Sequence, residues 1–281
     1  MYTLKIENKR GETITLTDDP NYVATINGLE SLKAVINTSR AGLMDGTLFN
    51  SSAMSERALT LTIMPMEPVE KNRIALYRFL QVNQYCKVYY SNGSRDVYIE
   101  GYVESIENDL FTQSQEIQFS IICPQPYLSG LYYITADLNK ILRLFEFPCA
   151  IDKKGIEFSR IQRDYMATIQ NKGDAESGVI IVITAKGNVT NPVIYNPDTG
   201  GSFKVNITMQ ESDQLMISTV SGDKWVRYIH EGVASNAINK VAPSPEWFVL
   251  TAGDNIFSYD AVSGADNMSI YFMFKYKYIG V

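Results

Sequence analysis

The sequence contains no apolar segment long enough to cross a membrane. An apolar run such as Val179 to Ile183 is far shorter than the roughly 20 residues that a membrane-spanning helix requires. The N-terminal residues Met1 to Ile6 show no apolar core of the kind found in a signal peptide. We therefore expect a chain that neither crosses a membrane nor anchors to one by itself.

The sequence is also poor in the residues that most often carry catalysis and metal binding. His230 is the only histidine, and no G-x-S-x-G motif supplies a nucleophile for it, so a strand-edge or hydrogen-bonded histidine, in a strand that runs into a turn, is the favoured interpretation. Cys86, Cys123 and Cys149 include no close pair of the kind that holds zinc. We expect all three to be small core residues, without disulfides, in a chain that assembles in a reducing cytoplasm.

Other signatures of bound ligands are missing. There is no P-loop and no G-x-G-x-x-G, and Asp45-Gly46 lacks the preceding oxygen ligands of a calcium loop. With 31 acidic and 25 basic residues the net charge is −6, and Lys153-Lys154 or Lys275 with Lys277 are clusters too small to attract a polyphosphate. We expect no catalytic residue, no metal ligand, no cofactor and no nucleic-acid partner.

Paired carboxylates are the one type of active site that this composition leaves open. A glycosidase needs only two acidic side chains that flank its substrate. Glu246 beside Trp247 and Phe248, and Asp254 beside Asn255, are candidates for such a sugar-binding cleft. Solvated acids in turns account for the same residues, and that interpretation is favoured.

Alternation of apolar and polar residues occurs in both halves of the chain and predicts mainly β structure. Each alternating segment is expected to be a strand with one buried face. The apolar positions are Leu59, Leu61 and Ile63; Ile117, Phe119, Ile121 and Cys123; Phe203, Val205, Ile207 and Met209; and Ile270, Phe272, Phe274 and Tyr276.

A single helix is predicted in the first half, from Glu67-Pro68 to Val82. Proline fits the first turn of a helix, and acidic residues there favour the positive end of the helix dipole. Val69, Leu76 and Leu80 share one face of this helix, so we expect that face to pack on the first sheet.

A hairpin follows the helix. The turn Ser91-Asn92-Gly93-Ser94 separates two apolar segments, 85–90 and 96–99, and Asn-Gly readily adopts the positive φ values of tight turns. Tyrosines cluster here on both strand faces, which indicates either a surface that meets a partner or simply the β propensity of tyrosine. They are Tyr85, Tyr89, Tyr90, Tyr98 and Tyr102.

The interval from Thr38 to Ser55 is rich in serine, glycine and asparagine and predicts a long loop or an extended arm. Loops of this length are usually functional, although a loop without an interaction is the alternative. Two prolines in Cys123-Pro124-Gln125-Pro126-Tyr127 end the preceding strand and mark a domain junction. We place an N-terminal domain at 1–127 and a C-terminal domain, a β-sandwich or jelly roll with frequent turns, at 128–281.

These landmarks together resemble the distal tail proteins of long-tailed phages that infect Gram-positive bacteria. The order and spacing of the motifs carry the resemblance, which covers nearly the whole chain. Gln125 departs from the family, where an acidic residue often precedes the Pro-Tyr pair, and no large inserted module is present. The matching motifs are Ile26-Asn27-Gly28-Leu29, Arg40, Asp45-Gly46, Arg57-Ala58-Leu59-Thr60-Leu61, Tyr98-Ile99-Glu100-Gly101, Cys123-Pro124, Pro126-Tyr127, Asn171-Lys172-Gly173-Asp174, Asn191-Pro192-Val193-Ile194-Tyr195-Asn196, Gly253-Asp254-Asn255 and Tyr276-Lys277-Tyr278-Ile279-Gly280-Val281.

The resemblance implies a structural protein of the virion tail tip and not an enzyme. Its N-terminal domain would be a tail-tube-like β domain with one helix and an arm, closing into a hexameric ring, and its C-terminal domain a galectin-like sandwich projecting outward. The ring would join the tail tube protein to a tail-tip protein, after synthesis in the host cytoplasm, as in a phage or prophage baseplate hub. Head-to-tail contacts that close a ring cover strand edges without fibre growth.

Two other functions remain open from the sequence. In the first, the C-terminal domain binds cell-wall carbohydrate or a host receptor through aromatic side chains, with Trp247 as the residue to test. In the second, which is less favoured, two carboxylates hydrolyse the cell wall.

Overall fold

The computed structural model describes residues 2–30, 32–40, 42, 45–109, 115–138, 140–142, 160–162 and 166–281. Two compact units make up the chain: Met1–Leu131 together with Lys277–Val281, and Tyr132–Tyr276. The division falls after Leu131, whereas the sequence placed the junction after residue 127. The difference arises because Leu128–Gly130 and Lys277–Tyr278, which lie beyond that point, pair with the first sheet.

The first unit is built on one large antiparallel sheet and a helix. Nine strands take part, in the order β2-β1-β7-β8-β9-β6-β3, with β10 paired to β8 and to the terminal strand Lys277–Tyr278. A separate two-stranded ribbon is formed by β4 and β5. The elements are β1 (Thr3–Asn8), β2 (Thr13–Thr15), β3 (Tyr22–Asn27), β4 (Ala34–Ser39), β5 (Leu48–Met54), β6 (Arg57–Pro65), α1 (Val69–Phe79), β7 (Tyr85–Ser91), β8 (Asp96–Asn108), β9 (Ile117–Cys123) and β10 (Leu128–Gly130).

The buried faces of these strands form the core of the first unit. The alternation predicted for β6 and β9 is confirmed, because every second side chain is buried and the intervening ones lie on the opposite face. Helix α1 contributes Leu76, and Leu80 follows directly after it; both are buried in the same cluster. The helix begins one residue after Pro68 and ends at Phe79, three residues before the predicted end, because Leu80 adopts an extended backbone.

The predicted hairpin joins β7 to β8. Tyr90 pairs with Val97 and Ser91 with Asp96, so residues 92–95 form the turn. Gly93 has a φ of 82°, and the Asn92 side-chain oxygen accepts hydrogen bonds from the backbone N–H groups of Ser94 and Arg95 at 3.0 and 2.9 Å. The Asn92 side chain therefore accepts these two hydrogen bonds in place of a backbone carbonyl and stabilises the turn.

The second unit is a sandwich of two antiparallel sheets. One has the order β11-β24-β15-β19-β20-β21, with β22 paired to β15, and the other the order β14-β23-β16-β17, with β18 paired to β16. Strands β12 and β13 pair with each other. The strands are β11 (Ile134–Asp137), β12 (Lys140–Leu142), β13 (Arg160–Gln162), β14 (Met166–Asn171), β15 (Ser177–Ala185), β16 (Val189–Asn196), β17 (Gly201–Lys204), β18 (Thr208–Met209), β19 (Gln214–Ser218), β20 (Trp225–His230), β21 (Val233–Asn236), β22 (Val249–Leu250), β23 (Gly253–Ser263) and β24 (Met268–Phe274), with 3₁₀ turns at Ile238–Lys240 and Ala265–Asn267.

The core of the sandwich lies between its two sheets. Phe257 of β23 and Phe272 of β24 are fully buried, and their ring centroids are 5.0 Å apart across the layers. The mainly β class predicted from the sequence, with a β-sandwich in the C-terminal half, is confirmed. The strand predicted over 203–209 is interrupted after Lys204, although all four apolar positions of that segment are buried.

Truncating Phe272 to alanine is expected to destabilise the second unit by about 3 to 5 kcal/mol, because it leaves a cavity between the sheets. Both tryptophans, Trp225 and Trp247, lie in this unit, so urea unfolding followed by tryptophan fluorescence reports on it. The control is Val262→Ala, which changes a side chain that is 67% exposed. Equal urea midpoints for Phe272→Ala and Val262→Ala would contradict the placement of Phe272 in the core.

Candidate functional site

The ribbon of β4 and β5 is the part of the first unit that stands outside its core, and we call residues 34–54 the arm. The sequence predicted a loop or arm from Thr38; the structure shows two paired strands that start at Ala34, with an irregularity in the pairing after Asn37. All residues of both strands are exposed. Residues 41, 43 and 44, including the apolar Leu43 and Met44, lie outside the described residues.

Both faces of the arm expose apolar side chains, and one of them also carries polar contacts. The pairs Ala34–Met54, Ile36–Ser52 and Thr38–Phe49 place their side chains on one face. Here Ile36, Phe49 and Met54 are 63%, 66% and 48% exposed. The opposite face carries polar contacts, since Asn37 donates to the Ser51 hydroxyl at 3.0 Å and the Ser39 hydroxyl donates to Asn50 at 3.1 Å. That second face also exposes Val35 and Leu48, each 53%. We call the face of Ile36, Phe49 and Met54, which lacks these polar contacts, the apolar face of the arm.

Arg57 holds the segment before the arm in place. Its side chain is 2% exposed and donates hydrogen bonds to four backbone carbonyls, those of Pro126 (2.7 Å), Leu29 (2.7 Å), Gly28 (3.1 Å) and Ile279 (2.5 Å). Burial lowers the pKa of the guanidinium. Arg57 therefore ties together three segments distant in sequence, one of which leads into the arm.

Gly28 is required at this point by space and backbone conformation. It has a φ of 98°, and a Cβ atom added there would lie 2.3 Å from the carbonyl oxygen of Ala58. A second contact closes the base of the arm, where the Ser55 N–H donates to the Lys33 carbonyl at 2.9 Å. The glycine of the motif Ile26-Asn27-Gly28-Leu29, which supported the family resemblance, is therefore needed for the close approach of this segment to Ala58.

The C-terminal tail completes the first unit. Tyr278 pairs with Leu128 of β10, and the guanidinium of Arg95 lies 4.6 Å from the centre of the Tyr278 ring. Arg95 also donates a hydrogen bond to the Gly280 carbonyl. The sequence placed this last strand in the C-terminal domain, and the pairing corrects that placement.

Replacing Arg57 with methionine is expected to destabilise the first unit by roughly 3 to 5 kcal/mol, because four backbone carbonyls, those of Pro126 and Leu29 in buried hydrogen bonds, lose a charged donor. Hydrogen exchange should then accelerate in residues 26–30 and 277–281 together, since one side chain holds both. The matched control is Arg40→Met, which removes an exposed arginine. Unchanged exchange in both segments would refute this role of Arg57.

The tyrosines of the β7–β8 hairpin lie on both faces of the sheet. Tyr85, Tyr89, Tyr98 and Tyr102 occupy the face away from the core, and Tyr90 packs against the core. Tyr85 faces Tyr102 and Tyr89 faces Tyr98, each pair with ring centroids 6.0 Å apart. These contacts account for the tyrosines as cross-strand pairs.

Charged side chains also contact the tyrosine pairs on this face of the sheet. The Tyr89 hydroxyl donates to Glu7 at 2.7 Å, and Lys87 forms an ion pair with Glu100 at 3.1 Å. Lys87 also lies 4.9 Å from the centre of the Tyr98 ring. Burial and the neighbouring Glu7 raise the pKa of Tyr89, so this phenol stays protonated near neutral pH.

His230 is the last residue of β20, as the sequence predicted, and its partner is a buried carboxylate. Its Nδ1 lies 2.8 Å from Asp213 Oδ1, and Asp213 is only 2% exposed. The other oxygen, Oδ2, accepts from the Gln210 N–H at 2.7 Å and from the Tyr228 hydroxyl. This arrangement anchors the 210–213 turn to β20 and does not require a catalytic role.

The shared hydrogen bonds shift the pKa values of this cluster in opposite directions. The hydrogen bond to Asp213 raises the pKa of His230 from its ordinary value of 6.5. Burial acts to raise the pKa of Asp213, but hydrogen bonds from Tyr228, Gln210 and His230 outweigh it and hold that pKa below 3.8. Burial and Asp213 raise the pKa of Tyr228 to about 12.

The single histidine makes this cluster directly measurable by NMR. Because the folded pKa is raised, the stabilisation by protonated His230 is fully present below pH 6.5 and is lost as pH rises through the folded pKa. We expect the imidazole resonance of the native protein to titrate above pH 6.5, and Asp213→Asn to lower that midpoint. Glu211→Gln, an exposed neighbour in the same turn, is the control. A midpoint unaffected by Asp213→Asn would contradict the pairing.

The cysteines that the structure describes are core residues. Cys86 and Cys123 are fully buried and unpaired by any disulfide, and burial raises the pKa of each thiol to about 12. The prediction of small core residues is confirmed for these two. Cys149 lies outside the described residues.

Of the candidate acids of the second unit, Glu246 lies in the segment before β22 and Asp254 at the start of β23. Glu246 accepts a hydrogen bond from the Thr199 hydroxyl at 2.7 Å and lies directly over Gly201. Asp254 is exposed, while Asn255 is buried and its side-chain oxygen accepts from the Thr251 N–H at 2.8 Å. Glu246 and Asn255 therefore brace loops, and their contacts need no substrate to explain them.

Trp247 packs on its own unit. Its ring lies edge-to-face against Phe203 with centroids 5.0 Å apart, and Lys224 Nζ lies 5.3 Å from the ring centre. A sugar-stacking tryptophan needs a free ring face. Within the described ranges, no cluster of three or more His, Cys, Asp or Glu side chains is arranged to hold a metal ion, and no helix is long and apolar enough to span a membrane.

Comparison with known proteins agrees with this architecture. Residues 172–276 match the family model for the C-terminal domain of Siphovirus-type tail components. The comparison with curated proteins finds no match. Residues 172–276 are thus similar to the C-terminal domain of phage tail components, and the β-sandwich of the second unit agrees with that similarity.

Solved structures extend the similarity to the whole chain. The crystal structure of the SPP1 Dit protein, described as a paradigm of the hub adsorption apparatus in phages that infect Gram-positive bacteria, has a TM-score of 0.70 at 12% identity and covers 99% of both chains. Chains of the phage P2 baseplate in its activated conformation, with Ca and with Sr, have TM-scores of 0.55 and 0.52 at 13% and 12% identity, with 100% of each chain covered. The predicted resemblance to distal tail proteins is confirmed.

Proposed function

We propose that this protein closes into a ring of six identical subunits at the tail tip, and that the ring joins the tail tube protein to a tail-tip protein. Its role is architectural and involves no catalysis. Assembly takes place in the bacterial host cytoplasm before the subunit enters the virion. The observation that carries the proposal is the arm, whose apolar face the described residues of the first unit leave exposed.

The physical case for a neighbour rests on the stability of the arm. A two-stranded hairpin is marginally stable alone in water and needs an apolar face packed against something else. Ile36, Phe49 and Met54 supply such a face. A second copy of the chain can cover it, and when each copy covers the arm of the next, the contact is head-to-tail, which generates a closed ring where the rotation between neighbours closes.

The similarity to solved hub proteins supports the same assembly. SPP1 Dit is described as part of a hub adsorption apparatus, and the P2 chains belong to a baseplate. Both cover nearly the whole length of this chain. The number of subunits and the two docking partners in our proposal follow from the resemblance to distal tail proteins.

The purified chain should behave as one species with six times the 31.6 kDa mass of the subunit in light scattering after size exclusion. Phe49→Asp should raise the concentration needed for assembly at least about tenfold, because each contact loses a buried ring worth roughly 1.5 to 3 kcal/mol. Asn37→Asp, which adds the same charge on the opposite face of the arm, is the matched control.

Two results would contradict the proposal. The first is a wild-type chain that remains monomeric at every concentration. The second is a Phe49→Asp variant that assembles as the wild type does. Both variants should retain the native circular dichroism spectrum, because both positions are exposed and lie outside the core.

A further inference from the structure

The first unit is built from two stretches of the chain that are distant in sequence. Residues 277–281, which we call the strap, follow the second unit and return to the first. There Tyr278 pairs with Leu128 of β10, and β10 itself pairs with β8. The first unit therefore lacks one of its strands until residues 132–276 have been synthesised.

Arg95 holds the strap at the turn between β7 and β8. Its guanidinium lies 4.6 Å from the centre of the Tyr278 ring and donates a hydrogen bond to the Gly280 carbonyl. Tyr278 also packs against the core of the first unit. An arginine over an aromatic ring and a charged hydrogen bond to a carbonyl are both attractive in partly buried sites. This turn thus binds the strap through a side chain and through its backbone.

Arg57 holds the strap at a second place, beside the base of the arm. Its Nη2 donates to the Ile279 carbonyl at 2.5 Å, while Nη1 donates to the Gly28 and Leu29 carbonyls at 3.1 and 2.7 Å. The Arg57 side chain is 2% exposed. A buried charged donor that loses an acceptor is costly, and water that enters such a site competes for the remaining hydrogen bonds. The hold of Arg57 on residues 28–29 therefore depends on the strap.

The strap also touches the segment that leads into the arm. A Cβ atom added to Gly280 would lie 3.1 Å from the carbonyl oxygen of Glu30, so the two backbones approach closely. The Glu30 carboxylate accepts a hydrogen bond from the Gly28 N–H at 3.1 Å. The arm begins shortly afterwards, at Ala34. Docking of the strap thus acts directly on the segment from which the arm extends.

The order of these elements along the chain determines when the first unit is completed. Arg57 and Ile279 are 222 residues apart in sequence. A contact of such separation forms only after the intervening chain is present and the entropy of closing that loop has been overcome. The first unit is therefore completed after the second unit has been made, although most of it precedes the second unit in sequence.

We propose that a subunit joins the ring only after its strap has docked, so that chains whose synthesis stops before residue 277 are kept out. Without the strap, Arg57 does not hold residues 28–29 firmly, and the arm lacks the fixed base that an identical, repeated contact requires. This inference rests on the proposed ring and adds the condition under which a subunit enters it.

The decisive variant ends the chain after Tyr276. It should remain monomeric at a concentration where the wild type is fully assembled, and a labelled sample mixed with wild-type subunits should be absent from their rings. Hydrogen exchange of residues 26–30 should accelerate at least about tenfold, because the loss of one charged hydrogen bond changes an equilibrium constant by about that factor. Residues 117–123 of β9 should stay protected, which separates a loosened arm base from unfolding of the unit.

A pair of full-length variants tests the same contact without shortening the chain. Tyr278→Ala removes the ring that Arg95 and the core of the first unit contact, so it should raise the concentration needed for assembly. Ile279→Ala is the matched control, because Ile279 binds Arg57 through its carbonyl and its side chain is 43% exposed. This control should assemble as the wild type does.

Two results would overturn the inference. The first is a chain without the strap that enters wild-type rings, and the second is a Tyr278→Ala variant that assembles at the same concentration as Ile279→Ala. A wild type that stays monomeric at every concentration would instead defeat the proposed ring, and with it this condition for entry. The two failures are distinguishable because the first requires rings to be present.

Discussion

The requirement that large apolar side chains be covered governs the whole structure. In the first unit, alternate residues of the strands face one core, and in the second unit the facing sides of two sheets do the same. Other large apolar side chains, such as Tyr132 and Val233, are exposed too, but on the arm Ile36, Phe49 and Met54 share one face of a two-stranded ribbon. Exposed apolar side chains that share one face are typical of a surface that another chain covers.

A buried guanidinium connects the arm to the rest of its unit. Arg57 begins β6, next to the base of the arm, and bonds to carbonyls before the arm, in the segment after β9 and near the C-terminus. A displacement of any of these segments breaks charge-assisted hydrogen bonds in a buried site. The arm is therefore set on a rigid base, and a rigid base is what lets identical contacts repeat around a closed ring.

Local patterns predicted much of the fold, and distant contacts account for what they missed. The alternation of apolar and polar residues predicted β6 and β9, and Asn92-Gly93 predicted the hairpin, because each of these signals is contained in a few consecutive residues. The helix ended earlier than predicted because Leu80 continues the apolar periodicity while its backbone is extended. The serine- and asparagine-rich arm was predicted as a loop, since its strands lack the usual β-forming pattern of a core sheet.

The candidate site was harder to predict because it depends on partners remote in sequence. Nothing in the sequence around Arg57 signals that it contacts Ile279, and nothing around His230 signals that it contacts Asp213.

The most direct test of the central claim is hydrogen exchange of residues 34–39 and 48–54 in the wild-type protein, above and below its assembly concentration. Our account predicts slow exchange of the arm only in the assembled state; fast exchange at every concentration would contradict it.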